Sequence, residues 1–237
     1  MFESDFSIPI SDRGFLYGDG LFETIAFDNN EIELLDFHYE RVLKAADLMG
    51  YQIPNWVDLE TIKAIFLSLI SKNNLGNKAR LKLVIWRKEG GLFASNQTDV
   101  NILFLSQKWE GSRVLEIQNW KVCDTVKINS NGLFFKTLSS IEYVIAGNFL
   151  LKNNLEELVL LNSEGMICEG LYSNIFWKKD NHWFTPSLST GCISGVRRRE
   201  LLDKWQNQVT EIALTLEKWE FDEIWWVNSL TIKKFIK

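Results

Sequence analysis

Two α+β domains with mixed or antiparallel sheets are what this chain's sequence predicts, and three observations carry that prediction. Short, partly alternating apolar runs bounded by turn residues recur from end to end. Between them lie segments with apolar residues at helical spacing, opened by capping residues. A polar, glycine-containing stretch, QKWEGSR at 107–113, interrupts the pattern near the middle. It separates a smaller N-terminal domain, 1–106, from a larger C-terminal domain, 114–237, with 107–113 as linker. The chain has 237 residues and 46% apolar composition, enough for one large core or two smaller ones.

GDGLFETIAF, 18–27, reads as a strand entered through a glycine turn. Asp28-Asn29-Asn30 turns the chain, and EIELL returns as the hairpin partner. Asp36 then caps a helix, DFHYERVLKAADLMG, which Gly50 stops. A second helix spans about 58–73, with Leu59, Ile62, Ile65, Phe66 and Leu69 on its apolar side. Strands follow at 79–87 and 99–106, then near 114–122 and 133–136. Ser139-Ser140-Ile141-Glu142 matches a capping box, so a helix starts just after Lys136 and runs to about Asn153. Several short strands with turns at Ser163-Glu164-Gly165 and Lys179-Asp180-Asn181 come next. A helix from about Val196 to Gln206 and a strand-like FDEIWWVNS complete the pass.

Composition removes several classes of function. The net charge is −5, and the tight basic run Arg197-Arg198-Arg199 is local, so a nucleic-acid partner is not expected. Cys123, Cys168 and Cys192 are odd in number and widely spaced, which gives neither a disulfide framework nor a metal pattern. They read as reduced thiols of a cytoplasmic protein. His38 and His182 are too few and too far apart for zinc. MFESDFSIPISDRG lacks the pattern of a signal peptide, and no apolar run has the length of a membrane span. Ten tryptophans are to be divided between core and subunit interface.

Four features carry chemistry. In GLFFKTLSSIEYV, Lys136 stands directly behind Leu133, Phe134 and Phe135. A lysine there reaches water, or it is a desolvated amine poised to form a Schiff base with a carbonyl. In SLSTGCISGVRRREL, glycines and hydroxyls lead into a helix whose first amides suit a phosphate, or are simply capped. The nucleotide fingerprints GxGxxG and GxxxxGK[ST] are both missing. Glu169 lies between apolar residues on a strand, either at the surface or as partner to a cationic ring nitrogen. Arg41 is either an ion-pair residue or a phosphate ligand. Lysine, carboxylate, helix start and arginine together fit pyridoxal 5'-phosphate, a small-molecule cofactor that needs each of them.

SDRGFLYGDGLFETI, FKTLSSIEYV, LVLLNSEGMICEGLYSNIFW and TPSLSTGCISGVRRREL, in that order, resemble the fold-type IV pyridoxal-phosphate enzymes. These are the branched-chain aminotransferases, the D-amino acid aminotransferases and the 4-amino-4-deoxychorismate lyases. The resemblance implies their two-domain architecture with mixed and antiparallel sheets, and a homodimer in which a loop of the other subunit completes each site. It implies that Lys136 bonds the cofactor and moves protons, and that Glu169 stands beside the pyridine nitrogen. It implies that Arg41 and the amides of Val196 and Arg197, after Gly195, hold the phosphate, with Ser173 and Asn174 next to the cofactor. The GDGLFET entry, ending in Thr24, leans toward the lyases, as does the compact length. So does KTLSSIEYVIA: the branched-chain enzymes have a tyrosine five residues after the lysine, where this chain has Ile141. They also have a threonine where Arg197 stands. The expectation is a lyase releasing pyruvate and p-aminobenzoate for folate synthesis. A class IV aminotransferase acting on branched-chain or D-amino acids is the alternative. An intact Lys136 and Glu169 argue against a non-catalytic binding protein.

Overall fold

A computed structural model describes residues 7–128 and 133–237. Residues 1–6, within the stretch read for a leader, and Gly132, the first residue of the lysine block, lie outside the described residues. The chain forms two compact units. One contains Met1–Trp109 and Lys136–Ser140, the other Glu110–Phe135 and Ile141–Lys237. The fourth strand runs on to Lys108, and the five residues from Lys136 belong to the first unit.

The first unit opens with a short helix, α1 (Arg13–Tyr17), capped by the Asp12 carboxylate and ended by Gly18 in the left-handed region. Strand β1 (Gly20–Asp28) then turns through Asn29 and Asn30, both at positive φ, into β2 (Glu31–Ile32). The hairpin partner is therefore much shorter than EIELL. Leu34 adopts φ +52°, and α2 (Leu35–Met49) starts at the next residue. Asp36 lies within the first turn of α2 rather than capping it, where it complements the helix dipole. Helix α3 (Leu59–Lys72) is capped by Asp58, which accepts from the Thr61 amide at 2.7 Å. Strands β3 (Lys78–Arg87) and β4 (Val100–Lys108) complete an antiparallel sheet in the order β2-β1-β3-β4. Helix α2 lies against β1 and α3 against β4. Val42, Ala45, Ile62 and Phe66 of the helices, and Ile25, Leu81, Leu83 and Ile85 of the sheet, are all buried.

In the second unit the segment read as one strand at 114–122 is two, β5 (Val114–Glu116) and β6 (Trp120–Ile128), in different sheets. The expected strand at 133–136 is irregular backbone. Helix α4 (Ile141–Lys152) follows, then β7 (Glu157–Asn162), β8 (Ile167–Glu169), β9 (Asn174–Lys179) and β10 (His182–Pro186). Helix α5 (Val196–Trp205) precedes β11 (Val209–Ile212), β12 (Glu223–Val227) and β13 (Ile232–Ile236). A three-stranded sheet, β6-β7-β8, and a mixed six-stranded sheet, β11-β10-β9-β12-β13-β5, result.

Every residue of β7 is buried, and its alternation explains why. Leu158 and Leu160 join a cluster with Ala146 of α4, Cys123, Cys168 and Cys192. Val159 and Leu161 join a second cluster with Ile175, Trp177, Ile224 and Trp226 of the larger sheet. A third cluster gathers Phe176 and Val227 with Leu201 and Trp205 of α5. Seven of the ten tryptophans pack in or against the last two clusters, so most serve as core. No helix among the described residues is long and apolar enough to cross a membrane.

Candidate active site

The lysine block is held on the edge of β1. The Phe22 amide donates to the Lys136 carbonyl at 3.1 Å, and the Leu138 amide donates to the Gly20 carbonyl at 2.9 Å. Leu21 and Thr137 form an antiparallel bridge between them. The GDG sequence makes this approach possible. A Cβ on Gly20 would lie 2.6 Å from Leu138 Cδ1, and one on Gly18 would lie 2.9 Å from the Ser139 amide nitrogen. Gly18 also needs its φ of +65°, which other residues adopt at a cost. The hydroxyls after the lysine bond within the segment: Ser140 donates to the Thr137 carbonyl at 2.7 Å, and Thr137 to the Ser139 carbonyl at 3.0 Å. Lys136 Nζ lies 5.7 Å from the centre of the Phe22 ring. Thr24 is buried two residues further along β1.

Beside it is a buried charged group of which sequence reading offered only Arg41 as a site candidate. Glu23 is on β1, and His38 and Arg41 are one turn apart on α2, on the face toward it. Arg41 Nε donates to Glu23 Oε1 at 2.7 Å and a terminal nitrogen to Oε2 at 2.5 Å, a two-pronged pairing. His38 Nδ1 is 2.6 Å from Glu23 Oε2. Burial pushes the His38 imidazole down against the pull of Glu23, and the charges of Arg41 and Lys136 push it further, so it is neutral and donates through Nδ1. Its Nε2 is buried without a hydrogen-bond partner among the described residues. Burial alone would raise the Glu23 carboxyl, but Arg41 and His38 outweigh it and hold the carboxyl at about 2.

That depression has a definite sign. Glu23's contribution to stability is fully present above its ordinary value of 4.5 and is lost as pH falls toward about 2. Urea unfolding at about pH 5 and about pH 3 should therefore show a larger loss for the natural protein than for Glu23→Gln. Equal losses would mean that Glu23 carries no depressed carboxyl.

The remaining sequence-predicted residues come together in the second unit. Glu169, at the end of β8, is 2% exposed. Its Oε2 accepts from the Ile193 amide at 2.9 Å, and its Oε1 accepts a short hydrogen bond from the Tyr143 hydroxyl. Burial and the Glu169 charge push the neighbouring thiols up, Cys192 to about 12, so neither is a nucleophile at neutral pH. Asn174 Nδ2 donates to the Ile193 carbonyl at 2.7 Å. A Cβ on Gly195 would stand 1.9 Å from Asn174 Oδ1, so only glycine fits where α5 begins. Among the described residues no side chain caps α5, and no acidic residue stands in its first turn, an arrangement that suits an anion at the positive end of its dipole. Ser173 Oγ is buried without a hydrogen-bond partner among the described residues. The Arg197 side chain bonds to Glu200 at 2.6 Å. An uncapped helix start, a buried carboxylate and a partnerless hydroxyl fit a phosphorylated ligand with a basic ring nitrogen.

The model of the family described as amino-transferase class IV matches residues 20–233. The aminodeoxychorismate lyase of Bacillus subtilis (strain 168) is 30% identical, over 97% of this chain and 80% of its own. The aminodeoxychorismate lyase of Vibrio harveyi is 28% identical, over 94% of this chain and 84% of its own. The crystal structure of a branched-chain aminotransferase from Thermoproteus uzoniensis with norvaline superimposes with a TM-score of 0.87 at 20% identity. That superposition covers 99% of this chain and 83% of the other, and it shows the fold.

Proposed function

Because the chain belongs to the amino-transferase class IV family, we propose that it is a pyridoxal-phosphate-dependent lyase converting 4-amino-4-deoxychorismate to p-aminobenzoate and pyruvate, for folate synthesis. The observation that carries the reading is the likeness, over nearly the whole chain, to two aminodeoxychorismate lyases.

Each residue then has a task. Lys136 Nζ would hold the cofactor's aldehyde carbon. Arg41 and the amides of Val196 and Arg197, after Gly195, would bind its phosphate, and Ser173 and Asn174 would stand beside it. When bound, pyridoxal phosphate supplies an aldehyde for the substrate's amine and a ring that draws electrons from the adjacent carbon. Lys136 Nζ would also serve as the base that takes up the substrate proton. Glu169 would hold a proton on the ring nitrogen, since a buried carboxylate favours a cation beside it. Thr24, buried near the lysine segment on β1, would be the third catalytic residue beside Lys136 and Glu169.

We infer a homodimer working in the cytoplasm, with a partner loop completing each site. Support comes from α4, where Ile141, Val144, Ile145 and Leu151 leave an exposed apolar stripe.

The test is an assay with two arms. Purified protein supplied with pyridoxal phosphate and 4-amino-4-deoxychorismate should release p-aminobenzoate and pyruvate in equal amounts. It should transfer no amino group at a comparable rate from branched-chain or D-amino acids to 2-oxo acids. Transfer without p-aminobenzoate would make the protein an aminotransferase that uses the same groups.

A further inference from the structure

Tyr143 has no task in the scheme above, yet its hydroxyl bonds the carboxylate that the scheme depends on. It sits seven residues after Lys136, in the first turn of α4. Ile141, at the position where the branched-chain enzymes have their tyrosine, is exposed. Burial first, and then the charge of Glu169, push the Tyr143 hydroxyl far up, so it is always protonated and can donate steadily. Glu169 is thus gripped on both oxygens, by the Tyr143 O–H on Oε1 and by the Ile193 N–H on Oε2. Two donors from different elements fix the plane of the carboxylate. A carboxylate accepts at about four lone-pair positions, more than these two donors occupy.

We propose that Tyr143 is a positioning residue that fixes the Glu169 carboxylate for a cationic N–H on the ligand. The inference rests on the reading that Glu169 faces a pyridine nitrogen. A purely packing role for the Tyr143 ring makes a different forecast. Removing the hydroxyl would then weaken any ligand of this shape equally, whether or not it carries a ring nitrogen.

The full-length protein, cleared of bound cofactor, can be titrated calorimetrically with two probes. One is pyridoxal phosphate, and the other is its analogue with C–H in place of the ring nitrogen. The natural protein should prefer the first. Tyr143→Phe should reduce that preference about threefold to tenfold, the range of one net hydrogen bond. The same change in a Glu169→Gln background should reduce it no further, because the acceptor's charge is gone. Equal weakening of both probes by Tyr143→Phe, or an unchanged preference, would overturn the proposal. If Glu169→Gln alone leaves the preference intact, Glu169 does not face the ring nitrogen, and the underlying reading falls with the inference.

Discussion

Replacing Lys136 with alanine should lower turnover about 10²- to 10⁴-fold, the range for a positioned proton-transfer group, while leaving the fold intact. The lysine segment is held on β1 by main-chain bonds, from the Phe22 amide to the Lys136 carbonyl and from the Leu138 amide to the Gly20 carbonyl. None of these needs the side chain. The ring contact with Phe22, at 5.7 Å, is among the interactions lost, and it is a weak one. Thermal unfolding should therefore change little, whereas the visible absorbance of lysine-bonded cofactor should vanish. A small primary amine added to the variant should restore part of the rate, since it supplies the missing nitrogen base. Near-normal turnover in the variant would remove Lys136 from the chemistry.

Glu23→Ala should cost about 3–5 kcal/mol of stability, the usual penalty for removing one partner of a buried ion pair. The arginine left behind is 9% exposed and the histidine 1% exposed, so water cannot replace the carboxylate. Each hydrogen bond that Glu23 accepts from them, at 2.5 to 2.7 Å, goes unmade. The melting temperature should fall by about 6–20 °C. Glu23→Gln should cost less, because an amide oxygen still accepts from Arg41. A loss below about 1 kcal/mol for the alanine variant, typical of a surface ion pair, would show the group to be solvated. Because Arg41 is the phosphate ligand of the proposed scheme, both substitutions should also weaken pyridoxal-phosphate binding. Glu23 fixes the guanidinium from behind with its two oxygens.

Local signals in the sequence reached most of the elements. The Asp58 cap, the Gly50 stop, the Asn29-Asn30 turn and the alternation of Lys78–Arg87 are each written in a few adjacent residues. Where the reading failed, a distant contact decided the outcome. EIELL alternates like a strand, but the left-handed turn at Leu34 starts a helix one residue later. LFFK looks like a strand and is irregular, because the chain beyond it must reach the edge of β1. β13, with lysines in its middle, gave no apolar alternation and is fixed by pairing with β12 and β5.

The candidate site divides in the same way. Lys136, Glu169 and the Gly195–Arg197 turn were legible as motifs, because each chemistry needs a short run of particular residues. The glycines of GDG were legible as a turn, but not as the space into which Leu138 and Ser139 fit. Glu23, His38 and Tyr143 were not legible as site residues. The pairs they form, with one another and with Arg41 and Glu169, span 15 to 26 positions and leave no pattern at short range.

Borohydride reduction of the protein with pyridoxal phosphate, followed by mass spectrometry of its peptides, tests the central assignment most directly. The account predicts a single phosphopyridoxyl group on the peptide that contains Lys136, and none on that peptide when Lys136 is alanine. Stoichiometric label on another lysine, with Lys136 unmodified, would contradict it.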